Sequence, residues 1–290
     1  MFFEFKPLGV LMILNGKKFA QERLSGFLTR SKVVKARLGR KPHLAVVLVG
    51  KDPASQVYVG HKKKQCEAVE IKSTLLELPE DCSQQRLEAA ILELNNDDAV
   101  DGILVQLPMP KNLSDFDPSD YILPQKDVDG LTAANMGLMI KGRAYAEPCT
   151  PKGIVELLKA NFIEIAGKKA AVLGRSQIVG WPMAWMLTRE NATVTVCHSK
   201  TQNLNEILKE SDIIVVAIGK SKFLDKKSFK KGAVVVDVGI HRLESGKLAG
   251  DVDVQGFDDM KISYTPVPGG VGPMTVSQLL DNLLKLVEGK

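Results

Sequence analysis

The stretch Lys168-Lys-Ala-Ala-Val-Leu-Gly-Arg-Ser-Gln-Ile-Val-Gly-Trp-Pro182 constrains the fold of this chain more than any other. Ala170 to Leu173 is a short apolar run and Gly174 breaks it. Pro182 suits the first turn of a helix, where a missing N–H costs little. The order is strand, glycine-rich turn, helix start. Such a turn points free backbone N–H groups and the positive helix end into one space, which suits a phosphate. Five residues separate Gly174 from Gly180, so the spelling is not the usual GxGxxG. A tight turn holding no ligand fits it as well.

The residues after this turn favour a dinucleotide. Thr193 to Val196 is a β-branched run that ends in Cys197-His198-Ser199-Lys200. An NAD-binding fold places an acid about 20 residues beyond the glycine turn, where it meets the ribose 2′-hydroxyl. Arg175, His198, Ser199 and Lys200 offer donors and positive charge here instead. That chemistry fits a 2′-phosphate, so NADP is expected rather than NAD. Two more buried-looking strands, Asp212 to Ala217 and Ala233 to Val238, end beside Gly219 and Gly239. Strand ends of this kind line the cofactor crevice of open α/β sheets.

The preceding half also alternates. Asn15 caps a helix to about Leu38, and His43 to Val49 is a strand. Asp52 and Pro53 start a helix to about Val69 that carries Tyr58 and Lys62. Ile71 to Leu78 is a strand, and Ser83 caps a helix to about Asn95. Gly102 to Gln106 is a strand stopped by Leu107-Pro108-Met109-Pro110. This alternation implies parallel βαβ units. Pro118 to Gly142 is loop-rich, and Glu147-Pro148-Cys149-Thr150-Pro151 makes the best domain boundary, with Thr150 capping a helix from Pro151 to about Asn161. Tyr264 to Pro273 closes the second half. From Met274 runs an amphipathic helix, apolar at Val276, Leu279, Leu280, Leu283 and Leu284. A length of 290 residues leaves room for two α/β domains.

Composition excludes several classes. Hydrophobic residues are 44% and charged residues 25%, as in ordinary soluble globular chains. The net charge of +5 is scattered, and the members of Lys62-Lys63-Lys64 point in different directions on a helix. No nucleic-acid partner is expected. Cys66, Cys82, Cys149 and Cys197 form no CxxC pair, which argues for reduced thiols and a cytoplasmic setting. The four histidines make no HExxH cluster, so no metal site is expected. No apolar run reaches about eighteen residues, so no membrane span is expected. Met1 to Leu14 is mostly apolar, with Phe2, Phe3 and Phe5. It lacks a small-residue cleavage site, which disfavours a signal peptide. Met12 is an alternative start that would make the preceding residues an extension.

Four places can carry chemistry. Tyr58 and Lys62, four residues apart, share a helix face. A ring beside an amine can stack a flat substrate next to a proton donor or base; an exposed Lys and a half-buried Tyr suit the same spacing. Gln106 ends an apolar strand, where a buried amide must be hydrogen-bonded and where α/β sheets place ligands; strand capping is the alternative. Asp127 and Asp129 read as a metal-binding DxD pair, as loop acids that bind ligand N–H groups, or as a solvated loop. The lack of further carboxylates or histidines nearby favours the second. Pro268-Gly269-Gly270-Val271-Gly272-Pro273 can bring backbone close to a ligand or form a plain interdomain turn.

Taken together, Tyr58-Val-Gly-His-Lys62, Asp101-Gly-Ile-Leu-Val-Gln-Leu-Pro108, Lys126-Asp-Val-Asp-Gly130, Gly174-Arg-Ser-Gln-Ile-Val-Gly180 and Pro266-Val-Pro-Gly-Gly-Val-Gly-Pro-Met-Thr275 resemble the motifs of the methylenetetrahydrofolate dehydrogenase/cyclohydrolase family, in the family's order, from about Gly16 to the C-terminus. The resemblance implies a bifunctional enzyme. It would oxidise 5,10-methylenetetrahydrofolate to the methenyl form with NADP, then hydrolyse that to 10-formyltetrahydrofolate. It implies Lys62 as the central group of the hydrolysis, Gln106 as its hydrogen-bonding partner, Tyr58 stacked on the folate and Asp129 on the pterin. Pro268, Gly269, Gly270 and Val271 would line the folate cleft. Gly174, Arg175, Ser176, Val179, Gly180, His198, Ser199, Gly219 and Ile240 make the cofactor set. It further implies a folate-binding domain of residues 1–149 and 274–290, a Rossmann-like domain of 150–273, a final helix that returns to the first domain, and a homodimer formed through the cofactor domains.

Three positions depart from the family's pattern. Glu70 stands where relatives usually carry a small residue, with a local effect expected. Gln177 and Trp181 vary the cofactor turn, and Trp181 is expected to alter cofactor affinity or stack nearby. Two rival readings remain. One is another two-domain NADP-dependent oxidoreductase, acting on an amino or carboxylic acid with a lysine base. The other is a nucleotide-binding protein with a dead site, against which the intact set of Tyr58, Lys62, Gln106 and Asp129 argues.

Overall fold

The computed structural model describes residues 11–289. The expectations for Phe2, Phe3, Phe5 and an N-terminal extension lie outside the described residues. The chain runs α1 (Gly16–Leu38), β1 (His43–Val49), α2 (Pro53–Ala68), β2 (Lys72–Leu78), α3 (Gln84–Asn96), β3 (Gly102–Val105), α4 (Ala133–Ile140) and α5 (Cys149–Ala160). It continues through β4 (Lys169–Leu173), α6 (Gly180–Arg189), β5 (Thr193–Cys197), α7 (Leu204–Glu210), β6 (Ile213–Val216) and β7 (Val234–Asp237). The short strands β8 (His241–Arg242), β9 (Leu248–Ala249) and β10 (Ser263–Tyr264) precede α8 (Val271–Glu288). Among the described residues no helix is long and apolar enough to cross a membrane.

The chain divides into two compact units. The first holds Glu22–Cys149 and residues 276–289. Its sheet is parallel, in the order β2-β1-β3. β1 is buried along its whole length, as its unbroken apolar run requires of a central parallel strand. Asp127 extends the sheet through a parallel bridge to Ile103. Asp52 starts α2 by accepting from the Ser55 N–H at 2.7 Å, with Pro53 at the first helical position. α8 packs back onto this unit, where Asp281 and Glu288 pair with Arg30 of α1 at 2.5 and 2.8 Å.

Three expectations need correction. The stretch read as loop from Pro118 to Gly142 contains α4, which Thr132 caps by accepting from the Asn135 N–H at 3.2 Å. Thr150 lies inside the first turn of α5 rather than ahead of it. α8 begins at Val271, three residues before the expected start, so Gly272 and Pro273 belong to its first turn. The expected apolar stripe of α8 is buried, but so are Gln278, Asp281 and Asn282 on its other faces. Glu70 adopts a left-handed φ of 56° and pairs with Lys35 at 3.3 Å.

The second unit holds Thr150–Thr275 and residues 11–21, which the sequence pattern groups with the first half. Backbone bonds tie those residues in: the Leu14 N–H donates to the Tyr264 carbonyl and the Lys17 N–H to Gly269, both at 2.8 Å. The sheet is parallel, in the order β10-β7-β6-β4-β5. β4 lies between β5 and β6, so the strand order reverses there. Open α/β sheets bind ligands at such a switch point, beyond the carboxyl ends of the strands.

Candidate active site

In the first unit the switch point lies between β1 and β3. Gln106 comes directly after β3, its N–H donating to the Val47 carbonyl of β1 at 2.9 Å. Its side-chain Nε2 donates to the Leu107 carbonyl at 2.5 Å. That contact leaves Oε1 facing the other way, where it accepts from Lys62 Nζ at 2.9 Å. Tyr58 sits one turn earlier on α2 and is half-buried, like Lys62. Burial raises the Tyr58 hydroxyl pKa.

Burial lowers the Lys62 pKa, and the Asp129 carboxylate is the foremost group opposing that shift. Burial raises the Asp129 pKa, and Lys62 opposes it in turn. Each group is pushed toward its neutral form by loss of water and toward its charged form by the other. The structure separates the two acids of the Asp127-Val-Asp129 stretch. Asp127 is fully buried and accepts from the N–H groups of Gly130 and Thr132, both at 2.8 Å, and from Asn135 Nδ2 at 2.9 Å. It builds the loop that carries Asp129. Among the described residues no group of three or more His, Cys, Asp and Glu side chains is placed to hold a metal ion.

Cys149 joins this cluster, a role hidden in the sequence, where the residue stands only within a domain boundary. Its thiol donates to the Val128 carbonyl at 3.2 Å. Burial and the neighbouring Asp129 hold its pKa well above the usual range. Cys66, also near Lys62, is pushed up to about 12 by burial.

In the second unit Gly174 has a φ of 118°, and a Cβ there would run into the Ala217 carbonyl oxygen. A Cβ on Gly180 would run into the backbone of Gly174 and Arg175. Only glycine lets β4, β6 and the start of α6 close up so tightly. Ser176 Oγ accepts from the N–H groups of Val179 at 3.2 Å and Gly180 at 3.4 Å. Arg175, Ser176, Ser199 and Gly219 are exposed, as is Ile240, whereas His198 is half-buried. Trp181 also faces solvent.

Gly219 is held by an acid that no sequence motif singles out. Asp251 is wholly buried, and its carboxylate accepts from the N–H groups of Ile218, Gly219 and Lys220 at 2.8, 3.0 and 2.8 Å. Asp237, at the end of β7, accepts in turn from the N–H groups of Gly239, Asp251 and Val252. Burial pushes its pKa up to about 6 against those bonds. The signal for both acids is an Asp beside an apolar run and a Gly250-Asp251 pair. In the Pro268–Val271 stretch, Gly269 has a φ of 107°, and a Cβ on Gly270 would crowd Thr265 and Pro266.

These features define an α/β protein with a doubly wound nucleotide-type sheet in one unit and a lysine–amide–carboxylate cluster in the other. Residues 14–129 match the family model described as tetrahydrofolate dehydrogenase/cyclohydrolase, catalytic domain, and residues 148–290 match that of its NAD(P)-binding domain. The chain belongs to the tetrahydrofolate dehydrogenase/cyclohydrolase family. It is 48% identical over 280 residues to the bifunctional protein FolD of Bdellovibrio bacteriovorus, covering 96% of this chain and 97% of that one. The crystal structure of the bifunctional FolD methylenetetrahydrofolate dehydrogenase/cyclohydrolase of Campylobacter jejuni is similar with a TM-score of 0.89 and 43% identity, over 97% of this chain and 99% of that one. The Trypanosoma brucei enzyme, complexed with NADP cofactor and inhibitor, gives 0.89 and 35%, over 96% and 98%.

Proposed function

We propose that this chain is a bifunctional one-carbon folate enzyme. It oxidises 5,10-methylenetetrahydrofolate to 5,10-methenyltetrahydrofolate with NADP and hydrolyses the product to 10-formyltetrahydrofolate. The observation that carries this reading is the 2.9 Å hydrogen bond from Lys62 to Gln106 beside Asp129, in a chain of this family.

The hydrolysis follows from the chemistry of the side chains. The methenyl carbon is cationic, so water adds to it once a proton can leave that water. A neutral Lys62 amine accepts that proton. It keeps one N–H on Gln106 and offers its lone pair to the water. The bond from carbon to N5 then breaks, N5 takes a proton, and the new hydroxyl becomes the formyl carbonyl. Tyr58 supplies a flat face for the pterin, and Asp129 an acceptor for its N–H groups. The assignment of Pro268, Gly269, Gly270 and Val271 to the folate rests on the family resemblance.

The second unit suits a dinucleotide. At Gly174 and Gly180 a Cβ would collide with neighbouring backbone, so glycine keeps the turn from β4 into α6 tight, and a helix N-terminus at such a turn suits a phosphate. Arg175, Ser176 and Ser199 supply donors for a 2′-phosphate, with Val179, His198, Gly219 and Ile240 around them. When bound, NADP supplies the hydride acceptor. Residues 1–149 and 274–290 are assigned to folate and 150–273 to the cofactor. With this reading go a homodimer, a cytoplasmic setting, and a formyl product that feeds purine biosynthesis.

The test is to mix the protein with 5,10-methylenetetrahydrofolate and either NADP or NAD, tracking reduced cofactor and both folate products. NADP-dependent turnover ending in the formyl product is expected. Turnover with NAD alone overturns the roles of Arg175 and Ser199. Methenyl product that decays only at its spontaneous rate removes the hydrolase half.

A further inference from the structure

We infer that Asn282, on the C-terminal helix, is a positioning residue that sets the place of Asp129. The inference rests on the folate reading of that acid. Asn282 is buried. Its Nδ2 donates to the Val128 carbonyl at 2.9 Å and to the Glu147 carbonyl at 2.8 Å, and lies 3.4 Å from Cys149 Sγ. Val128 is the residue before Asp129, and Glu147 lies two before Cys149. One amide therefore clamps together the two segments that carry the acid and its thiol neighbour.

The clamp is closed by the segments themselves. The Cys149 N–H donates to the Asp129 carbonyl at 3.2 Å, and its thiol to Val128. Gly130 lies so near Glu147 that a Cβ on it would meet that residue's backbone. Asn282 is oriented in turn: Gln278 Nε2, one turn earlier on α8, donates to Asn282 Oδ1 at 3.1 Å and to Asp281 Oδ2 at 3.1 Å. Asp281 is anchored by Arg30 and Lys285. The order of contacts runs from the α1 surface through α8 to the backbone on which Asp129 stands. An amphipathic helix needs no such side chains on its buried faces. Burying Gln278, Asp281 and Asn282 costs stability unless every polar group is matched. Their cost is explained by what they hold.

The experiment measures hydrolysis of methenyltetrahydrofolate and folate affinity by calorimetry. It uses the wild-type chain, Asn282→Leu, Asp129→Asn and the double variant, with circular dichroism melting alongside. Leucine keeps the volume and removes the donors. Loss of fixed geometry typically costs on the order of a hundred-fold in kcat/KM, and that loss is expected for Asn282→Leu. The same substitution is expected to cost nothing further in the Asp129→Asn background, because the acid it places is gone. An equal loss in both backgrounds assigns Asn282 a general structural role and overturns the inference, as does an unchanged rate in Asn282→Leu. If Asn282→Leu does not fold, Gln278→Leu reads the same cycle. A smaller loss that vanishes with Asp129→Asn supports the inference, and one that persists sinks it. Absence of turnover by the wild-type chain defeats the folate reading itself, which separates the two failures.

Discussion

Lys62 Nζ lies 2.9 Å from Gln106 Oε1, and the Gln106 amide cannot flip without losing the Leu107 carbonyl. The amine thus always meets an oxygen. It keeps that partner in both protonation states.

Lys62→Met is expected to bring hydrolysis down to the spontaneous rate, a loss of about 10²–10⁴ if the amine acts as general base. Lys62→Arg is expected to lose as much, since a guanidinium keeps charge but does not give up a proton. Burial lowers the Lys62 pKa against Asp129, Cys149 and Cys66. The unprotonated amine therefore appears at lower pH than in an exposed lysine. Hydrolysis should rise with pH and level off early, and the arginine variant should show no such rise. A wild-type rate that is flat from about pH 6 to 10, measured by loss of methenyl absorbance, would count against the base assignment.

Asp127 and Asp129, two residues apart, should fail in opposite ways. Asp127→Ala strands three buried donors. Each unsatisfied donor costs about 1–3 kcal/mol, so a loss of about 3 kcal/mol or more is expected. Asp129→Ala removes an acid whose pKa burial raises. It should leave the melting temperature nearly unchanged while raising KM for the folate. Urea unfolding together with steady-state kinetics separates the two, and equal effects in both assays would defeat the division of labour.

The cofactor turn makes a sharper claim about backbone. In Gly180→Ala the new methyl meets the Gly174 carbonyl and Arg175 Cα, and neither is a flexible side chain. Overpacking of this kind costs about 1–3 kcal/mol. The strain falls on the loop assigned to the phosphates, so NADP affinity should drop at least tenfold while folate affinity in the other unit holds. Fluorescence titration with NADPH reads this directly. Unchanged cofactor affinity would move the binding site away from Gly174–Gly180.

These sites differ in how far the sequence discloses them. The Gly174 turn, the Asp52-Pro53 helix start and the pairing of Tyr58 with Lys62 are local patterns, and local chemistry fixes them. Gln106 is readable as a polar residue ending an apolar strand, but its partner is 44 residues away and only the sheet brings the two together. α4 is hidden because a helix of 8 residues with Gly137 inside has weak propensity and depends on its Thr132 cap. Asp127 and Asp129 look alike, since sequence spacing does not say which acid the backbone amides will claim. The start of α8 at Val271 is obscured by Gly272 and Pro273, which read as turn residues yet fit a first helical turn. Asp251 and Asn282 matter through contacts with distant main chain, which no motif announces.

The acid on α8 carries the last prediction. Burial would raise the Asp281 pKa, but hydrogen bonds and charge from Arg30 and Lys285 outweigh it and hold the carboxyl down to about 2. An unfolded Asp titrates near 4, so the difference is worth about 2 kcal/mol of folding stability. Because the folded pKa is the lower one, the unfolded chain binds the proton first on acidification. The contribution is therefore complete at neutral pH and disappears as pH falls from about 4 to about 2. Asp281→Asn should be about 2 kcal/mol less stable than wild type at pH 7, and the gap should close by about pH 2. Urea unfolding at half-unit steps across that range tests the linkage. A gap that stays constant with pH would show that Asp281 acts by packing and hydrogen bonding with Gln278, not through its charge.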